Sequence, residues 1–276
     1  MKLKYTTKVF IVVNLITVLL RTMEIVFLTE SGTAFLKEGF AVLNIIITAI
    51  TILALTALYF NAFLAVRQPE KINCTGVPSA VALAISGSLY LIGGALSLVL
   101  KPYGWRLIAV MSALVVAATV SFMSSALNKK PISKVWSLAF IAYWIAEFVE
   151  SYLFYTERPL RVRTVYETAA LCFIILFSVT FGKAVSGVKP KKSFRNIYPL
   201  GLTATSLCIV SVVPEMLASI FGKGQNVTES AVMPVALAAA AVFIGFFTIN
   251  TFKKSNTIHP KRKKRLESVH LSEPTA

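Results

Sequence analysis

Apolar stretches long enough to cross a bilayer recur along the whole chain and leave little else over. They fall at roughly 8–29, 40–65, 77–100, 105–127, 134–156, 164–187, 196–221 and 231–252. A hydrocarbon core about 30 Å thick takes about 20 helical residues to cross. Within it, backbone N–H and C=O groups must bond inside their own segment, which selects helices. The expected architecture is therefore all-α: a polytopic membrane bundle of about eight transmembrane helices over residues 1–252. A basic, disordered cytoplasmic tail is expected over 253–276, where no apolar period survives. The first stretch follows MKLKYTTK and runs on through Arg21 and Glu24 without a small-residue cleavage pattern. It is expected to stay as an uncleaved span.

Charge placement orients the bundle. The net charge is +16, which in a soluble chain would point to nucleic acid. Here the lysines and arginines lie mostly between apolar stretches, so they are assigned to topology and no nucleic-acid partner is expected. Alternate connections carry them unequally. The set with Lys2, Arg67, Lys129, Lys189 and the tail holds 19, and the opposite set with Lys37, Lys101, Arg158 and Lys223 holds 7. Both termini are expected in the cytoplasm of a plasma (inner) membrane protein, which requires an even number of spans. The cluster Lys261–Arg265 is expected to anchor the tail to anionic lipid.

What is missing narrows the chemistry. There is no aspartate, and the only histidines, His259 and His270, lie in the tail. Zinc HExxH sites, Ser-His-Asp triads and aspartic dyads are thereby excluded. Cys74, Cys172 and Cys208 have no paired spacing, so neither a disulfide framework nor a thiolate metal site is indicated. The chain is expected to be non-enzymatic, with no cofactor and no metal. The sequon at Asn73 falls in an expected cytoplasmic loop and the one at Asn226 outside, and chance accounts for both.

The halves resemble each other. Phe27-Leu28-Thr29-Glu30 ends the first stretch as Phe154-Tyr155-Thr156-Glu157 ends the fifth, and Phe60, Pro69 and Pro78 recur as Phe181, Pro190 and Pro199. This spacing is that of two parallel four-helix repeats, 1–130 and 131–254. The third and eighth stretches are dense in Gly, Ala and Ser, the composition of closely packed membrane helices.

Charges inside the spans are the candidate site. With the termini cytoplasmic, Glu24, Glu147, Glu150, Glu167 and Glu215 all fall in the outer half of their spans, as does Arg21. A charge at mid-membrane costs about 2.5–3.5 kcal/mol by insertion scales, so these side chains are expected to face the bundle interior or each other. Tyr143, Glu147, Glu150 and Phe154 form one stripe of the fifth helix. Pro214 beside Glu215 would free a backbone carbonyl next to a carboxylate. Two functions remain open. In one, Glu147, Glu150, Glu215, Tyr143, Glu24, Arg21 and Glu167 line an outward-facing pocket that binds or transports a small cationic or amine-bearing solute. In the other, the same charges pair with arginines and only fix helix packing in a structural or regulatory subunit.

Overall fold

A computed structural model describes residues 2–30, 36–65, 77–100, 106–128, 132–155, 162–188, 190–221 and 233–250. The described chain is all-helical, and no strand occurs in it. The helices are α1 (Lys2–Met23, continued by a π-helical turn over Glu24–Leu28), α2 (Ala41–Ala65), α3 (Val77–Leu100), α4 (Arg106–Leu127), α5 (Lys134–Tyr155), α6 (Val162–Ser186), α7 (Pro190–Ile220) and α8 (Met233–Asn250). Each begins within six residues of the position read from hydropathy. Cys74, both sequons, Arg158, Arg161 and the tail with Lys261–Arg265 lie outside the described residues, and the side chains of Arg106 and Arg163 do as well.

Six of the eight helices are long and apolar enough to cross a membrane: α1, α2, α3, α6, α7 and α8. The other two are α4, whose described side chains cover Met111–Leu127, and α5. In α5 the reason is chemical. Lys134, Glu147, Glu150 and several hydroxyl-bearing residues lower its hydropathy, although its 22 residues would extend about 33 Å.

Neighbouring helices run antiparallel, as cross-contacts show. Gly87 of α3 faces Thr119 of α4 and Gly94 faces Ser112. Gly201 of α7 faces Thr248 of α8, and Gly245 faces Thr205. Thr6 at the start of α1 donates to Asn61 near the end of α2 at 3.1 Å. All eight helices can therefore be placed between two ends. We call basal the end where α1 begins and α8 stops, and distal the opposite one.

The core is built around α7 and α8. The apolar window of α7 is 72% buried, against 22% for α2. The Phe243 ring of α8 lies 4.9 Å from Phe140 of α5, 6.1 Å from Phe122 of α4 and 6.2 Å from Phe181 of α6. Helices α1 and α2 pack on the flank of α7 and expose Ile11, Leu15, Leu19, Ile45 and Leu53 outward, as lipid-facing surfaces do. The small-residue faces of α3 and α8 pack closely as expected, with Ser86 donating to the Ala239 carbonyl at 2.9 Å. Where Gly87 and Gly94 meet hydroxyl side chains of α4, they leave room for a neighbour.

Two local features are not visible in hydropathy. Helix α7 starts at Pro190, earlier than the expected 196, and stays helical through Pro199 and Pro214. The α6–α7 connection is tight. Gly187 takes a left-handed φ of +78°, the Gly187 and Val188 N–H groups bond back to the Ala184 and Lys183 carbonyls, and Pro190 opens the next helix. Gly after a helix end and Pro at a helix start are the residues those positions favour. A four-helix repeat is not confirmed by the packing: α6 and α7 lie along each other, whereas α2 and α3 are not a packed pair.

Candidate functional site

Four of the seven sequence-expected residues fall into two groups on different helices, Arg21 with Glu24 and Tyr143 with Glu147. The first lies where α1 changes from α to π geometry. Arg21 and Glu24 are one turn apart, 3% and 0% exposed, and Arg21 Nη1 approaches Glu24 Oε2 at 2.8 Å as an ion pair within one helix. The Arg21 guanidinium also stacks on the Tyr166 ring of α6, 4.5 Å from its centroid. Arg21 thus holds Glu24 and ties α1 to α6 by a cation–π contact. Further toward the basal end, Asn14 of α1 donates to Ser206 of α7 at 3.0 Å. The π-helical turn packs against α7 and α2, and such turns are widened places in a helix that often accompany functional sites.

The second group sits near the middle of the bundle, where α3, α5 and α7 converge. Phe140, Tyr143, Trp144 and Glu147 form the inward stripe of α5, each at most 3% exposed. Their i, i+3, i+4, i+7 spacing is one helical face. The Tyr143 hydroxyl and the Glu147 carboxyl lie within electrostatic range of each other. Tyr90 of α3 packs edge-on to Tyr143 at 5.4 Å and to Trp144 at 6.1 Å. Glu147 and Cys208 of α7 lie within electrostatic range of Tyr90, and Glu150 within that of Tyr143. A buried carboxyl group therefore shares its helix face with Tyr143 and Trp144 and lies within electrostatic range of two phenols from two helices. Phenol O–H and indole N–H groups are donors, and rings whose faces meet a cation attract it.

Glu150, Glu167 and Glu215 are half-buried on α5, α6 and α7. The side chain of Phe154 lies outside the described residues. Hydropathy and charge missed Tyr90, Trp144 and Tyr166. Tyr90 is the one aromatic in an otherwise small and aliphatic α3, and Tyr166 precedes Glu167, so only their positions on helices hinted at them. Among the described residues, no three His, Cys, Asp or Glu side chains are grouped to hold a metal ion.

No family model, curated protein or solved structure matches this chain.

Proposed function

We propose that this protein binds or transports a small cationic or amine-bearing solute, with Glu147 as the charge that receives it. The observation that carries this is the burial of the Glu147 carboxyl at mid-bundle, on the α5 face that carries Tyr143 and Trp144 and within electrostatic range of Tyr90. Burial of a carboxyl is costly in a membrane and characteristically marks a path for ions, protons or solutes. In this reading Tyr143 orients Glu147, the rings offer faces to the cation, and Glu150 lies on the distal approach. Glu24 is assigned to structure, where it is ion-paired with Arg21 within α1. All eight helices cross the bilayer in the proposal, because α4 and α5 alternate in direction with their neighbours. The basal end, with its lysines, faces the cytoplasm of a plasma membrane.

Glu147→Gln is expected to abolish solute uptake or binding in proteoliposomes while the protein still accumulates in the membrane. Glu150→Gln is expected to weaken it. Unchanged binding in Glu147→Gln sinks the reading.

A second reading has its own observation. The Arg21–Glu24 pair on Tyr166 fixes helix register without chemistry, as in a structural or regulatory subunit. It gains if Glu147→Gln and Glu150→Gln both fail to accumulate.

A further inference from the structure

The face that α1 turns to the bundle is polar along its length. Among the described side chains from Tyr5 to Glu24, the buried ones are Thr6, Asn14, Thr17, Arg21 and Glu24. None is apolar. A polar face buried at membrane depth has to be met by donors and acceptors. Over the basal half and the middle, protein groups supply them: Asn61 for Thr6, the Val13 carbonyl for Thr17, and Ser206 for Asn14.

At the distal end the protein groups run out. Glu24 Oε1, Asn44 Oδ1 and the Tyr166 hydroxyl are buried atoms that make no hydrogen bond. Two of them stand beside the Arg21 guanidinium: it is ion-paired to the other oxygen of the Glu24 carboxyl and lies over the Tyr166 ring. Asn44 comes from α2. The Lys37 N–H bonds to the Leu28 carbonyl, and Thr6 meets Asn61, so α2 returns along α1 and brings Asn44 to the depth of Glu24. Asn44 continues the buried stripe of Ile47, Thr51 and Leu55, which is the inward face of α2.

Two acceptors and a hydroxyl beside a fixed guanidinium call for a small neutral molecule that both donates and accepts. Hydrocarbon does neither, and the guanidinium disfavours a metal cation. The geometry points to a buried water site in the seam of α1, α2 and α6. One water donating to Glu24 and Asn44 and accepting from Tyr166 makes the three bonds typical of buried water. The π-helical turn that begins at Glu24 widens α1 at this place. Water here also lowers the desolvation cost of keeping Arg21 and Glu24 charged at membrane depth. The site is separate from Glu147 and independent of the solute reading.

The test uses the full chain in proteoliposomes in oxygen-18 water. A brief X-ray pulse makes hydroxyl radicals from bound water, and mass spectrometry reads which side chains gain the heavy oxygen. Tyr166 is expected to be labelled, whereas Phe140 and Phe181, each 0% exposed in the ring core, are not. Arg21→Met with Glu24→Met replaces the pair by apolar side chains, an exchange that is often neutral for stability. That double variant is expected to lose the labelling at Tyr166 while still accumulating in the membrane. Labelling of Tyr166 no faster than Phe140 overturns the site. So does equal labelling of all three rings, which means general opening, or undiminished labelling in the double variant. If the double variant does not accumulate, Asn44→Leu decides: reduced labelling at Tyr166 supports the site, and unreduced labelling refutes it.

Discussion

The distal and basal halves of this bundle solve the same problem with opposite chemistry. In the distal half, polar groups are held by pairing: Arg21 with Glu24 and Tyr166, and, nearer the middle, Asn14 with Ser206. In the basal half, Phe122, Phe140, Phe181, Phe243 and Phe247 fill space around α8 with rings 4.9–6.2 Å apart. Lipid tails are as apolar as these rings, so burial from water does not hold the basal half together. Close packing does. The distal half is held by charges that would be expensive if separated. A loss in one half should therefore cost unpaired charge, and in the other, lost contacts.

Substitutions can separate these. The largest effect is expected for Arg21→Met, which strands the buried Glu24 and removes the stacking on Tyr166. Breaking one side of a buried pair costs about 3–5 kcal/mol, read as a fall in the unfolding midpoint in detergent and in membrane accumulation. Adding Glu24→Gln should recover most of it; no recovery would show that the Tyr166 contact, and not the ion pair, is what matters. Phe243→Ala comes next. Large core truncations cost about 3–5 kcal/mol, and the low end is expected because lipid or detergent replaces no water here. A loss as large as that of Arg21→Met would erase the contrast between the halves.

Gly94→Ala should cost about 1–3 kcal/mol, since its new methyl would overlap Ser112 of α4. Ser112→Ala on the same chain should return part of it, and thermal unfolding of the double variant measures how much. The smallest effect is expected for Arg195→Ala at the basal end. It removes a guanidinium 4.2 Å above the Phe63 ring, worth about 0.5–1 kcal/mol at an exposed position. A larger loss would reveal a charged contribution in the half assigned here to rings.

Much of the architecture is legible in the order of the residues. Helix positions follow from apolar length, and the turn at Gly187 and Pro190 uses residues whose backbone preferences are local. The stripe on α5 is legible at Tyr143 and Glu147 because helical period alone decides which residues share a face. Trp144 and Phe140 complete that face in the structure, and Glu150 sits half-buried at its edge. The early start of α7 is not legible, since Lys191, Lys192 and Arg195 resemble a loop until the helix is seen to continue beyond the apolar stretch. Nor does charge alone decide the partner of Glu24. Arg21 stands one turn away in the sequence, but several downstream arginines are equally available by charge.

The sequence by itself determined that this chain is a bundle of apolar helices whose span-embedded acids gather toward one end, because both properties are sums over local residues. Tertiary structure decided which acids meet which partners. Glu24 is paired with Arg21 where α1 turns π-helical, and Glu147 is buried on the α5 face that meets Tyr90 of α3. Those outcomes depend on how helices far apart in sequence are rotated and slid against one another. Hydropathy does not encode that rotation; the fit of Gly87 to Thr119, Gly201 to Thr248 and Phe243 to its neighbouring rings sets it.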